Sequence, residues 1–388
     1  MTETKLLRRL WKALGSFELT IVSLALLMAL VFLCTIAQVH LGTLGAVNAY
    51  MHSFLVWWEP QASNIAIPVF PGGILVGAAL VLNLIAATIQ RLDFTWRKMG
   101  LWIVHAGLIL LIAGEFATGA FQMDTQMAIQ VGQTVNFVES PRLMELAVID
   151  TTNPSYDDVY SIPDSTLARE GTVAIPGTPL TIRVKRFFRN AALSRLGPGD
   201  PPTMATAGVG TGVKVVAKAP ITRDNDVNHT TAFVEPMAGG RSFGTWLVST
   251  DIAAPQGFTF EGHSYRLLIR PLRVYLPYAI TLKKFSHDVY PGTDIPKNFS
   301  SLIHLSNPNT HEERDVLIYM NQPLRYDGKA FYQASFGRGD TLSILQVVGN
   351  PGWLIPYISC VLVTIGLLIH FGITLRRSIK RRQPKKEG

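Results

Sequence analysis

The chain has 388 residues, a formal net charge of +8 and 48% hydrophobic residues. The apolar residues are concentrated in four runs separated by ordinary polar sequence, which excludes a single soluble globular domain. The only two cysteines, Cys34 and Cys360, both lie inside these runs. The sequence therefore has no disulfide framework, no CxxC redox motif and no CxxCH haem-attachment motif of its own.

The positive charge marks the orientation of the chain in a membrane. Fourteen of the 35 lysines and arginines lie before the first run, between the second and third, and after the fourth. With four spans these segments share one side, and the positive-inside rule assigns that side to the cytoplasm. The charge is therefore an orientation signal and does not indicate nucleic-acid binding, although it also suits anionic lipid.

The first run, residues 17–39, follows a basic tail at 1–16 and predicts a transmembrane helix. It is longer than the apolar part of a usual signal peptide, and no small-x-small cleavage site follows it, so we expect an uncleaved anchor. Residues 40–68 predict a short external loop. Its aromatic residues, including Trp57 and Trp58, favour an amphipathic segment or an aromatic belt at the membrane interface.

The second and third runs, residues 69–90 and 99–121, predict two further spans within a membrane region of residues 17–121. Each holds about 20 residues, enough to cross roughly 30 Å of hydrocarbon. Pro71 suggests that the second span could instead begin near Gly72. The fourth run, at residues 353–375, predicts a last span within residues 351–375, followed by a basic tail at 376–388.

The long segment between the third and fourth spans, residues 122–350, reads as strands. Stretches such as LMELAVID, GVKVVAKAP and TLSILQVVG combine β-branched residues with partial alternation, and turns such as NPSYDD and SNPNT separate them. We therefore expect a membrane protein of about four transmembrane helices with a large β-rich extracytoplasmic domain, a sandwich or an open barrel. Residues 191–212, rich in Gly, Pro and Ala, predict a mobile loop.

Titratable residues inside the spans are candidate functional groups, because polar side chains are costly in hydrocarbon. His105 lies a third of the way into the third span and His370 near the end of the fourth, so antiparallel helices would place both towards the cytoplasm. A neutral imidazole can ligate haem iron, or it can simply bond to a neighbouring helix. Glu115 does not share a helix face with His105, and we expect it to be paired or interfacial.

Outside the spans the candidates are less specific. His40 and His52 follow the first run and could approach a haem at the outer face, or could be solvated loop residues. No histidines have a recognised metal-ligand spacing. We predict a basic strand pair, which would suit haem propionates or an acidic partner, or simply form a solvated sheet face. The prediction is based on Arg266, Arg270, Arg273, Lys283 and Lys284.

Several stretches carry a family resemblance. They are TIAQVHLGT ending the first run, FPGGILVGAALVLNLIAATI in the second, WIVHAGLILLIAGEF in the third, and MNQPLRYDGKAFYQASF leading into LSILQVVGNPGWLIPYISCVLVTIGLLIHF. On these motifs the chain resembles the ResB (CcsB) family of cytochrome c biogenesis proteins. Three spans, a large external domain and a fourth span are also that family's plan.

The resemblance implies a function in System II cytochrome c synthesis. Such proteins pair with a ResC/CcsA-like membrane subunit, move haem b across the bacterial inner membrane and attach it to the CxxCH cysteines of apocytochrome c. A thioredoxin-like thiol reductant is a further implied partner. The chain would be a non-autonomous subunit of a haem lyase, with both termini cytoplasmic and the large domain periplasmic.

The resemblance also bears on single residues. A histidine of the third span is a haem ligand in the family, opposite a histidine of the partner, and His105 stands at that position. His370 and His40 remain lesser candidates for haem binding, and no catalytic residue is identified. Two other function classes stay open: a non-enzymatic membrane-anchored scaffold or sensor, and a haem- or quinone-linked electron-transfer subunit.

Overall fold

The computed structural model describes residues 3–58, 66–91, 93–221, 227–292, 296–337 and 339–382. The chain divides into two compact units, one helical and one made mainly of strands. The first holds residues 1–122 and 350–388, and the second holds residues 123–221 and 225–349.

The helical unit contains the predicted spans. Its helices are α1 (Glu3–Leu14), α2 (Phe17–Ala46), α3 (Gly73–Arg91), α4 (Met99–Phe121) and α6 (Ile355–Arg382). The short helix α5 (Asp164–Leu167) belongs to the strand-rich unit. Within the described residues, four helical stretches are long and apolar enough to cross a bilayer. Their outer faces carry exposed Phe32 and Leu368 side chains, as expected of surfaces that face lipid. The chain is therefore a four-helix membrane protein.

The described parts of the segment predicted as an external loop, residues 40–58 and 66–68, contain helical and strand structure. Helix α2 continues past residue 39 to Ala46, with a break at Gly42 (φ 71°), and passes into a π-helix, Val47–Met51. His40 thus lies within the helix rather than after it. A hairpin of β1 (Leu55–Trp58) and β2 (Ile67–Pro71) follows.

The second span begins later than the apolar run. Residues 69–71 belong to β2, and α3 starts only at Gly73. The run from residue 69 is apolar throughout, and Pro71 ends the strand because its ring removes a backbone donor. Hydropathy alone cannot distinguish an apolar strand from the start of an apolar helix.

An amphipathic helix that the sequence analysis did not predict precedes the first span. In α1, the exposed apolar side chains of Leu6 and Leu7 each lie about one helical turn before that of Leu10 and share one face with it, while Arg8 and Arg9 lie on the other. A cationic amphipathic helix of this kind suits the surface of an anionic bilayer.

A buried asparagine fixes the junction between α1 and α2. Asn83 of α3 is 1% exposed, and its amide nitrogen donates to the carbonyl oxygens of Leu14 (2.6 Å) and Ser16 (2.9 Å). Its side-chain oxygen accepts from the hydroxyl of Thr20 at 2.6 Å. All three bonds matter in an apolar environment, where an unmade hydrogen bond costs several kcal/mol.

Helices α4 and α6 pack closely through glycines. Gly100, Gly107 and Gly114 are spaced by seven residues, two helical turns, and therefore share one face of α4. A Cβ at Gly100 would lie 2.6 Å from the carbonyl oxygen of Gly366, and one at Gly114 would lie 2.4 Å from a side-chain carbon of Ile355. Small residues allow such close approach of two membrane helices.

The second unit contains the strands that were expected between the third and fourth spans. They are β3 (Met123–Gln130), β4 (Thr134–Asp150), β5 (Asp158–Pro163), β6 (Gly171–Ala174), β7 (Leu180–Phe188), β8 (Ala191–Arg195), β9 (Val213–Ala217), β10 (Thr231–Ala238), β11 (Arg241–Ser242), β12 (Trp246–Ser249), β13 (Gln256–Phe260), β14 (His263–Val289), β15 (Pro296–Asn307), β16 (Glu312–Tyr319), β17 (Leu324–Tyr326), β18 (Lys329–Gly337) and β19 (Leu342–Gly349).

The larger sheet forms a nearly closed barrel. Its strand order is β16-β15-β14-β4-β3-β19-β18-β17, all antiparallel neighbours. Alternate side chains from these strands fill one interior core that includes Met127, Ile280, Ile303, Phe331 and Leu345. Because strands at both ends of the order contribute to one core, the sheet curls round on itself.

The two longest strands of the barrel, β4 and β14, also form one layer of a sandwich. Beyond the barrel, β4 and β14 continue with β5 and β13 beside them, and the smaller sheet, β11-β10-β7-β6 with β12, packs on this extension. The second core lies between the layers and contains Leu146, Ile269, Ile182 and Val234. Both expected architectures, sandwich and open barrel, are thus present.

Two sequence predictions in this unit need correction. Residues 191–212, expected to be a mobile loop, begin with β8, which pairs with β9, and end with a 3-10 helix, Gly208–Gly212, while residues 196–207 between them form a loop. The expected basic strand pair is a single strand, because all five cationic residues lie on β14. Three of them are paired with acidic side chains: Arg270 with Glu145 at 2.7 Å, Arg273 with Glu139 at 2.8 Å, and Lys283 with Asp315 at 2.7 Å.

The glycine packing leads to a stability prediction. Gly100→Ala should destabilise the helical unit by ~1–3 kcal/mol, because the added carbon must push α6 away. Gly119→Ala in the same helix should be neutral or slightly stabilising, since no atom lies within 4 Å of its Cβ position. Unfolding of the full chain by detergent titration measures the difference, and equal effects of the two substitutions would contradict the packing.

The two Glu–Arg pairs lead to a second prediction. Glu145 is 1% exposed. Glu145→Ala should lower the free energy of unfolding by ~3–5 kcal/mol, because it leaves the buried Arg270 guanidinium without a counter-charge. Glu139→Ala is the matched control on the same strand, where partial exposure of both partners reduces the loss. Thermal unfolding of the full chain measures both losses, and equal losses of stability in the two variants would contradict the larger contribution of the buried pair.

Candidate functional site

A cavity of about 540 Å³ in the helical unit lies between the start of α2, the second half of α3 and the first part of α4. Its walls are mostly apolar side chains of α2, α3 and α4, including Leu24, Leu84, Leu108 and Ile112. A volume of this size holds one small organic molecule. The polar or charged side chains that line it are Ser16, Thr20, Asn83, Arg91 and His105.

His105 and Arg91 are the titratable side chains among the described residues that line this cavity. His105 lies on α4, half-buried, and its Nδ1 is 2.6 Å from the hydroxyl oxygen of Thr88 on α3. Thr88 is itself 6% exposed and donates to the carbonyl oxygen of Leu84 at 2.7 Å. The histidine is therefore held in place by the neighbouring helix, with its other ring nitrogen free of partners among the described residues.

Arg91 supplies the positive charge of the cavity. It is the last residue of α3, three residues after Thr88, and no ion pair is found for it within the described ranges. The other polar lining groups are already engaged, since Asn83 and Thr20 bond to each other and Ser16 accepts from the Leu19 amide. Arg91, whose charge also acts on Glu18 of α2, and the second ring nitrogen of His105 are thus the groups that remain available to an occupant.

The three histidines proposed as haem-binding residues do not come together. His370 lies on α6, where its backbone packs against Gly100, and it does not line the cavity. His40 is exposed far along α2, towards the opposite end of that helix. Glu115, expected to be paired or interfacial, is exposed on α4 and has no ion pair in the part of the chain that the structure describes.

Histidines of the strand-rich unit are engaged with carboxylates. His229 contacts Asp251 at 2.6 Å, and His263 contacts Asp150 at 2.7 Å. Both ring nitrogens of His304 donate, to Asp315 and to Glu313, and these hydrogen bonds raise its pKa above the ordinary value. No group of three potential metal ligands occurs among the described residues. His229, His263 and His304 thus lie in hydrogen-bonded contact with acidic side chains.

Sequence reasoning missed Thr88, Asn83 and Arg91 as parts of the site. Arg91 was used only as an orientation signal, and the two polar residues were not singled out. A signal existed, because both interrupt the apolar run of the second span, and polar residues inside a span usually have a partner or a purpose. Their partners on other helices could not be deduced from spacing.

Comparison with known proteins places the chain in context. Residues 240–344, which lie within the strand-rich unit, match the model of the ResB-like family. A stretch of 98 residues is 32% identical to Protein NrfI of Wolinella succinogenes and covers 25% of this chain. The matched stretch spans only 11% of NrfI itself. The resemblance to the ResB family is thereby confirmed, with residues 240–344 as its matched part.

Proposed function

We propose that this chain is a subunit of a cytochrome c biogenesis machinery and that it binds haem b, as substrate, in the cavity beside His105. The observation that carries the proposal is the anchored imidazole on the wall of an apolar cavity between transmembrane helices. The ResB-family resemblance supports the cytochrome c part, and the cavity supports the haem part.

The donor set fits haem. A neutral imidazole is a common axial ligand of haem iron, and the apolar walls suit the macrocycle. Arg91 is available to a propionate carboxylate, since arginine pairs with carboxylates in a bidentate geometry. The cavity offers one histidine, so a second axial ligand would come from a ResC/CcsA-like partner subunit, as the resemblance implies.

In this proposal the residues of the helical unit bind and orient the substrate. His105 supplies a ligand nitrogen, Thr88 holds the ring, and the leucines and isoleucines of α2, α3 and α4 exclude water. The cytoplasmic placement of the cavity follows from the basic segments at both termini and between α3 and α4, under the positive-inside rule. The chain would then sit in a bacterial inner membrane with the strand-rich unit in the periplasm.

The strand-rich unit would help to receive apocytochrome c. Each thioether forms when a cysteine thiol of the CxxCH motif adds across a haem vinyl group, with no external oxidant or reductant consumed in that step. The protein's contribution is orientation of the two partners. Because this chain has no CxxC motif, the thiols would be kept reduced by a separate thioredoxin-like protein, and the chain acts as one subunit of the haem lyase.

The test is the visible spectrum of the chain co-purified with its ResC-like partner. We expect a haem Soret band that His105→Ala removes or shifts and that added imidazole restores, because imidazole replaces the missing ligand. His370→Ala is the matched control, since this histidine also lies in a span but does not line the cavity, and it should leave the band unchanged.

Other results would favour the other function classes. Absence of haem from the wild-type complex, or a band indifferent to His105→Ala, would contradict the proposal and favour a scaffold or sensor. Haem retained by this chain alone, with reversible oxidation and reduction and no transfer to apocytochrome, would favour an electron-transfer subunit.

A further inference from the structure

The hydroxyl group of Thr88 takes part in two short contacts at once. Its oxygen lies 2.7 Å from the carbonyl oxygen of Leu84, one turn earlier in α3, and 2.6 Å from Nδ1 of His105 in α4. Thr88 is buried, so water does not compete for either contact. The oxygen–oxygen distance is within the usual range of hydrogen bonds, and the nitrogen–oxygen distance is at the short limit.

Counting protons decides the direction of both bonds. A threonine hydroxyl has one hydrogen, and a carbonyl oxygen can only accept. If the hydroxyl donates to Leu84, the contact with His105 is a hydrogen bond only when Nδ1 carries a hydrogen and donates to Thr88. If the hydroxyl donated to Nδ1 instead, two oxygens would face each other at 2.7 Å with no proton between them, which is repulsive.

We propose that Thr88 is a positioning residue that holds neutral His105 in the tautomer protonated on Nδ1 and thereby leaves the lone pair of Nε2 free for a ligand. Nε2 has no hydrogen-bond partner among the described residues, and His105 lines the cavity whereas Thr88 does not. The role of Nε2 towards haem rests on the proposed function, but the tautomer itself does not.

The consequence for haem follows from general metal-site chemistry. A histidine ligates through the nitrogen that has no hydrogen, and a hydrogen bond from the other ring nitrogen fixes the ring orientation and raises ligand basicity. Removing such a partner typically costs 10–100-fold in affinity. In free imidazole side chains the hydrogen is not held on Nδ1, so without Thr88 part of the population would have Nε2 blocked.

The first experiment reads the tautomer without haem. The full-length chain is labelled with ¹⁵N-histidine in detergent, and the His105 signal is assigned by its loss in His105→Ala. We expect a protonated Nδ1 and an unprotonated Nε2 in the wild type, the same in Thr88→Ser, and a shift towards protonated Nε2 in the near-isosteric Thr88→Val. A wild-type ring protonated on Nε2, or no change in Thr88→Val, would overturn the proposal.

The second experiment titrates haem into the complex with the partner subunit. We expect Thr88→Val to weaken binding about 10–100-fold and Thr88→Ser to retain it. Equal affinity of wild type and Thr88→Val would overturn the positioning role, because a threonine that merely ties two helices together alters thermal stability and not the haem affinity. If the tautomer result holds but the wild type binds no haem, the proposed function fails and the tautomer assignment stands.

Discussion

The close packing of α4 against α6 is the constraint on which the rest of the structure depends, because these two helices carry the chain into and out of the strand-rich unit. Glycines on the facing sides allow backbone contact, with Gly100 opposite Gly366. Within the strand-rich unit, β3 pairs with β19, with Met123 opposite Gly349. The helices on either side of the strand-rich unit are thus joined by close packing, and the first and last strands of that unit are joined by backbone hydrogen bonds.

The second organising feature is the satisfaction of polar groups inside apolar helices. Asn83 ties the start of α2 to α3 with three hydrogen bonds, and Thr88 ties α3 to His105 of α4. Because an unpaired polar group in hydrocarbon is costly, these bonds fix how the three helices meet. The cavity between them is a consequence of this arrangement, and Arg91 and His105 are the groups left available within it.

Much of the fold could be predicted because hydropathy and strand propensity are local signals. The four spans and the strand-rich segment were confirmed, and α3 begins at Gly73, next to the alternative start that Pro71 suggested. The pairing of β8 in residues 191–212 was not predicted, since a Gly-rich stretch can pair when a partner is available. Only part of the candidate site could be predicted from the sequence. His105 followed from a motif, but its contact with Thr88 is made between helices, and no spacing rule encodes it.

The proposed haem site is tested most directly by an electron cryomicroscopy map of the full chain with the proposed ResC-like partner, purified with haem. The account predicts planar density in the cavity between α2, α3 and α4, joined to Nε2 of His105, with a carboxylate towards Arg91. A map with that cavity filled by lipid or by side chains, or with haem bound only to histidines of the partner, would contradict it.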